Sequence, residues 1–187
     1  RFSTYREDGR ASPPPRDFAI ADELENAVVY LESTPAMASV SHDPSHQVLE
    51  QVNETFVPHV LAVLKGSIIE FPNGDPLFHN VFSLSRAKSF DLGFYPQGSS
   101  KSVRFEKPGT VKVFCHLHSD MSATILVLDN PFFTKPDRRG AYRIDGIPPG
   151  DYNVIAWHER ARPARRKVRI DAAQISVADF TIPLVAP

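Results

Sequence analysis

Seventeen prolines and nine glycines break this 187-residue chain into short pieces, so few stretches can sustain an uninterrupted helical hydrogen-bond ladder. The pieces between the breaks are rich in β-branched and aromatic residues, which favour strands. Residues 27–31 (AVVYL) read as one strand. From Gln47 onward the signals are dense. Residues 56–64 run into a Lys65-Gly66 turn, and 67–71 lead to the loop Pro72-Asn73-Gly74-Asp75-Pro76. Residues 79–83, 101–105, 111–115 and 124–128 follow, with Lys107-Pro108-Gly109 as a turn before the third of these. Short, regularly spaced strands predict an all-β fold built as a sandwich.

The chain divides unevenly. Residues 1–21 are polar and contain Pro13-Pro14-Pro15, so they read as a flexible lead-in. Residues 22–131 form the main β unit. A second unit, 132–187, begins after Asn130-Pro131, with strand-like stretches at 140–144, 151–157, 165–170 and 175–182. About four strands are too few to enclose a core alone. The second unit is therefore expected to dock on the first, or to borrow 27–31 as an extra strand. It holds ten Lys and Arg against six Asp and Glu, net +4, while the whole chain is −1 and the remainder −5. The bulk charge gives no reason to expect nucleic acid, and no apolar run approaches the roughly 18 residues of a membrane span. The chain opens on Arg rather than Met, which leads us to expect either a processed chain or a recombinantly expressed segment, with any signal peptide not visible in it.

The single cysteine, Cys115, cannot form an internal disulfide. It is packing filler, a reactive thiol or a metal ligand. Val111, Val113 and Cys115 alternate, so on a strand they share one face. If that face is the core, the thiol sits at the buried end of the strand, where the chain turns. The turn then supplies His118 and Met121 in a Cys-x2-His-x2-Met spacing. A fourth donor must come from elsewhere, and His79 lies 36 residues upstream. A thiolate and two imidazoles with a weak thioether suit a type 1 copper ion cycling between Cu(I) and Cu(II). Zinc is the competitor, but its four-coordinate sites use Cys, His or carboxylates rather than thioether. Asn80 is placed to tie the His79 strand to the Cys115 loop by a hydrogen bond. The other methionine, Met37, reads as packing.

Two stretches carry a resemblance. PNGDPLFHNVFSL (72–84) and EKPGTVKVFCHLHSDM (106–121) are similar to the cupredoxins. The His79-Asn80-Val81 step resembles plastocyanin, and the Cys-x2-His-x2-Met spacing resembles amicyanin. GAYRIDGIPPGDYNVIAWHE (140–159) resembles the small transthyretin-like or carboxypeptidase-regulatory-like β domain. That domain follows the cupredoxin in two-domain proteins of the methylamine-utilisation type. The resemblance implies a Greek-key sandwich binding copper through His79, Cys115, His118 and Met121, followed by a small C-terminal β-sandwich. His116 departs from the amicyanin loop. Alternation points it away from copper, as a surface histidine, an electron exit or an extra metal ligand.

The expected function is a one-electron carrier in the periplasm or otherwise outside the cytoplasm. The alternative is copper storage, delivery or resistance through the same donors. No nucleophile–base pair, phosphate loop or second cysteine suggests an enzyme or a binuclear centre. The expected partner is a redox protein, an acidic one if it docks on the six basic residues of the 160–169 run, or one that meets His118. His158 is expected to be structural. His42, His46 and His59 show no partner pattern, although His42 and His46 share a loop.

Overall fold

The computed structural model describes residues 20–33, 37, 43–172 and 174–185; most of the expected lead-in and His42 lie outside them. One helix, α1 (Ile20–Glu25), precedes β1 (Val28–Leu31). Next come β2 (His46–Val48), β3 (Glu50–Val52), β4 (Thr55–Val57), β5 (Val60–Leu64), β6 (Ile68–Pro72) and β7 (His79–Leu84). Then follow β8 (Ser89–Tyr95), β9 (Ser100–Arg104), β10 (Gly109–Phe114) and β11 (Ser122–Leu128). The last three are β12 (Phe133–Thr134), β13 (Gly150–Trp157) and β14 (Ala164–Ile170). The expected strand at 56–64 is split at Pro58, which has no N–H to give a ladder.

A five-stranded sheet, β5-β11-β10-β7-β8, faces a three-stranded sheet, β2-β6-β9, with the β3-β4 hairpin alongside. Alternating inward side chains fill the space between them: Val63, Ile69, Phe71, Val81, Val103, Phe105, Val111, Val113 and Ile125 are all buried in one cluster. The fold is all-β and sandwich-like. The Pro108-Gly109 turn needs its glycine. Gly109 has φ +136°, and a Cβ there would stand 3.1 Å from the Ala87 side chain.

A second sheet, β12-β1-β13-β14, is antiparallel throughout. β1 pairs with β12 and β13 and with no strand between residues 47 and 128 among the described residues. One face of this sheet carries Val29, Val154 and Ala156, covered by Tyr142, Ile144, Phe180 and Ile182. Those covering residues come from 140–144 and 175–182, which the sequence predicts as strands. Neither forms a ladder. Local bonds take their place: the Asp137 carboxylate accepts from the Ala141 N–H, and Ser176 Oγ donates to the Arg169 carbonyl. Outermost is β14, whose Arg165, Lys167 and Arg169 are exposed.

The opposite face packs on the outer side of β5 and β11 through Val28, Val60, Leu126, Leu128 and Trp157. β11 is thereby buried on both faces, with Ile125 and Val127 in the sandwich core and Leu126 and Leu128 in this second contact. Truncating Trp157 to Ala would cost about 3–5 kcal/mol. The Asn130 side chain closes the junction, donating to the Leu31 carbonyl at 2.8 Å and accepting from the Phe132 N–H at 3.0 Å. Met37 is packing, as expected, against Leu31, Phe132 and Tyr152.

One end of the contact is polar. Glu159 accepts from His59 Nε2 at 2.5 Å, Lys112 Nζ at 2.6 Å and the Thr124 hydroxyl at 2.8 Å. The other His59 nitrogen, Nδ1, lies 3.1 Å from the Ser122 carbonyl. Both ring nitrogens thus face acceptors, which only the imidazolium can satisfy. Glu159 raises the His59 pKa, and the His59 donor in turn holds the Glu159 carboxyl far below the usual carboxylate range. His158 is structural in the same region, with Nδ1 accepting from the Arg160 N–H and Nε2 3.1 Å from Glu23.

The pair sets a pH window. His59 stabilises fully below its unfolded pKa of about 6.5 and loses this as pH rises through its raised folded value. Glu159 stabilises fully above its unfolded pKa of about 4.3 and loses this as pH falls through its lowered folded value. Thermal melting from pH 4 to pH 9 should show the wild-type advantage over His59→Asn largest between about 4.5 and 6.5. An advantage that keeps growing toward alkaline pH would contradict the assignment.

Candidate metal centre

β10 delivers Cys115 to the core end of its strand, as the alternation predicts: Val111 and Val113 are fully buried and Cys115 is 5% exposed. The chain then turns tightly. The Cys115 N–H donates to the Met121 carbonyl at 3.2 Å, and the Met121 N–H donates to the His118 carbonyl at 3.1 Å. β11 leaves directly from Met121. The two stems are locked by six rungs, from Gly109↔Val127 to Phe114↔Ser122. β7 lies next to β10 and brings in His79, which is fully buried.

Sγ of Cys115 lies 3.9 Å from Nδ1 of His79 and 3.7 Å from Nδ1 of His118. One donor atom from each residue falls within 4.8 Å of the others. The two imidazoles meet edge to face, with centroids 4.8 Å apart. An ion bonded at about 2.3 Å to sulfur and about 2.0 Å to nitrogen, with donors about 120° apart, sets S···N edges of about 3.7 Å. The observed edges fit that triangle. Met121 is 1% exposed and lies in the same buried cluster as Cys115.

Both histidines turn Nδ1 inward, and a carboxylate holds the outer nitrogen of His79 by a hydrogen bond. Nε2 of His79 is 2.8 Å from Asp75, so it carries the proton and leaves the Nδ1 lone pair free. Nε2 of His118 is 3.7 Å from Glu54. Asp75 is the hub of this arrangement. Its carboxylate also accepts from the N–H groups of Asn53 and Glu54 at 2.6 and 2.8 Å, holding both in left-handed backbone at φ 51° and 56°. Burial pushes the Asp75 pKa up, but the donors at Glu54, His79 and Asn53 together outweigh it and hold the carboxyl below its ordinary value. Asn73 fixes Asp75 in turn, accepting from its N–H at 2.9 Å and donating to the carbonyls of Leu77 and Tyr95.

Beneath the site, Gln51 donates to the Tyr95 hydroxyl at 2.6 Å, and that hydroxyl donates to the Phe71 carbonyl. Burial pushes the Tyr95 phenol up to about 12.

Asn80 departs from expectation. Its amide reaches Asp91 on β8 at 2.6 Å rather than the Cys115 loop. The irregular β7–β8 register between Asn80 and Phe82 brings Asp91 within reach. The link to the loop is indirect, since Asp91 also lies 3.6 Å from His116. His116 is not in the donor cluster. It is half exposed and stacks on Phe82 at 3.8 Å, nearly parallel. His46 is exposed, 3.8 Å from Glu70. Among the described residues no other group of three or more His, Cys, Asp or Glu could hold a metal.

The donor chemistry suits a single copper ion. No carboxylate joins the cluster: its donors are one thiol and two imidazoles, the set that a type 1 copper ion takes, and Asp75 binds the far nitrogen of His79. Asp75 is not among the residues the sequence singles out, although a carboxylate four residues before His79 is visible in it.

Replacing Asp75 by Ala should weaken metal binding about 10–100-fold, measured by competition with a chelator. Asp75→Asn, which can still cap the turn but not accept on both oxygens, should fall between. Unchanged affinity in Asp75→Ala would remove the hub role.

No family model matches the chain, and no curated protein matches it. Several solved structures resemble part of it. A copper-containing nitrite reductase from Thermus scotoductus SA-01 is 22% identical over 49% of this chain, with a TM-score of 0.44; the match spans only 24% of that protein. A purple cupredoxin from Nitrosopumilus maritimus is 22% identical over 44% of this chain and 98% of its own, with a TM-score of 0.39. A reduced amicyanin variant is 20% identical over 54% of this chain and 98% of its own, with a TM-score of 0.41.

Proposed function

We propose that this protein is a one-electron carrier acting outside the cytoplasm, with His79, Cys115, His118 and Met121 as the residues that would hold a type 1 copper ion. One observation carries the reading: a thiol and two imidazole nitrogens converge inside a packed β sandwich, with the buried imidazole of His79 oriented by the Asp75 carboxylate. Copper, when bound, supplies the one-electron couple. The chain's part is to keep the donors still, so that both oxidation states meet nearly the same geometry. Burial of His79, Cys115 and Met121 in a core shared with β7, β10 and β11 supports that rigidity.

Access supports a carrier over an enzyme. His118 is the most exposed of the proposed ligands, with 22% of its side chain accessible. An electron can leave through that edge, whereas a substrate finds no open position at the metal. Around the ligands in sequence, Leu77, Phe78 and Leu117 are exposed. They would offer a redox partner apolar side chains on the segments that carry His79 and His118. In the two-unit reading, residues 22–131 without β1 are the copper unit. Residues 132–187 with β1 are the appended β unit of the methylamine-utilisation type, and the four-stranded sheet supports that division.

Adding Cu(II) should produce an intense visible thiolate-to-copper band that ascorbate bleaches. Cys115→Ser and His79→Ala should each abolish it, and a band surviving in Cys115→Ser would refute the site. Met121→Leu should keep the colour and raise the reduction potential, read by redox titration. Rapid transfer of the copper to a weak acceptor, with slow electron exchange, would favour copper delivery instead.

A further inference from the structure

We infer that Glu159, carried by the C-terminal sheet, is a positioning residue for the metal centre, stapling from outside the two stems of the loop that bears Cys115, His118 and Met121. The inference deepens the copper reading above and rests on it for its spectroscopic consequences. Its location is the first argument. One Glu159 oxygen accepts from Lys112 on β10 and from Thr124 on β11. Those two residues are opposite each other, two rungs from the Phe114↔Ser122 pair that closes the ladder at the loop. The other oxygen accepts from His59, whose second nitrogen meets the carbonyl of Ser122, next to Met121. The His59 carbonyl also accepts from the Thr124 N–H at 2.8 Å. A single carboxylate from the second sheet therefore fixes β10, β11 and the entry to β5 together.

The second argument is energetic. The apolar contact of Trp157, Leu126, Leu128, Val60 and Val28 already holds the two sheets together. This charge cluster, in which Glu159 is mostly buried while His59 and Lys112 are partly exposed, adds little net stability once desolvation and screening are counted. What it adds is direction, because three donors converging on one carboxylate tolerate few arrangements. Glu159 is 14% exposed and Thr124 is fully buried, so the Thr124 hydroxyl has no water to turn to if the carboxylate leaves. The slack would pass along β11 to Met121. The length of the axial bond tunes a type 1 site, so small shifts there are legible.

The test uses the whole chain. In the metal-free protein, Glu159→Ala should speed amide hydrogen exchange at Cys115 and Met121 about tenfold, and Thr124→Val should do so in part. Lys65→Ala, which breaks the ion pair to Asp129 at the far end of β11, should leave those two amides unchanged. In the copper-loaded protein, Glu159→Ala should still bind one copper per chain, but with an altered ratio of charge-transfer bands and a shifted reduction potential. Glu159→Gln, which keeps an acceptor for Thr124, should restore part of both. Wild-type exchange and wild-type spectra in Glu159→Ala would overturn the inference. If that variant does not fold, the same null result in the volume-conserving Thr124→Val would overturn it. If exchange rises as expected but the wild-type protein shows no thiolate band, the staple stands and the copper reading falls.

Discussion

The double burial of β11 is the constraint on which the rest depends. A strand covered on one face can shift along its neighbours at the cost of one set of contacts. β11 would have to give up two, since Ile125 and Val127 fill the sandwich while Leu126 and Leu128 fill the contact with the second sheet. Its pairing with β10 is continuous over six rungs, and its pairing with β5 over five. A one-residue slip would exchange the two buried sets, which differ in shape and in partners. The loop between β10 and β11 therefore starts and ends at fixed points, and a tight loop with fixed ends has few conformations to lose when it takes up an ion.

Around this fixed loop the polar groups are economical. Asp75 serves a histidine and a two-residue turn with one carboxylate, and that turn carries the Glu54 that faces the other histidine. The two imidazoles are thus connected through the backbone of the β3–β4 hairpin. Tyr95 lies across from His79 in the β7–β8 ladder, and its hydroxyl joins Gln51 to the main chain of β6. Hydrogen bonds of this kind restrict rotamers more than they add stability.

Much of this was legible in the sequence, and the reasons are local. The donor triad could be read because Cys115 and His118 share one loop, and because two-residue alternation put the thiol on the core face. The turns at Lys65-Gly66 and Pro108-Gly109 could be read because the chemistry of those residues is specific to turns. Other features depend on distance along the chain. Glu159 meets His59 across 100 residues, and Asn80 finds Asp91 only because the β7–β8 register is irregular. Alternation could not reveal that 140–144 and 175–182 lack ladders. An extended segment laid over a sheet face by its side chains shows the same period as a strand. Asp75 stands four positions from His79, but nothing in its local pattern marks a carboxylate as the group that orients that imidazole.

The outermost strand of the second sheet has a consequence of its own. A free strand edge offers unpaired main-chain donors and acceptors to any other extended peptide. On β14 that edge is set with guanidinium and ammonium groups at Arg165, Lys167 and Arg169. Arg165 pairs with Glu32 and Arg169 with Asp151 and Asp171, so a second copy laid along this edge would have to crowd long charged side chains and their partners, which disfavours lengthening of the sheet on that side. A charged outer strand of this kind discourages edge-to-edge growth in a fold whose regular structure is nearly all strand.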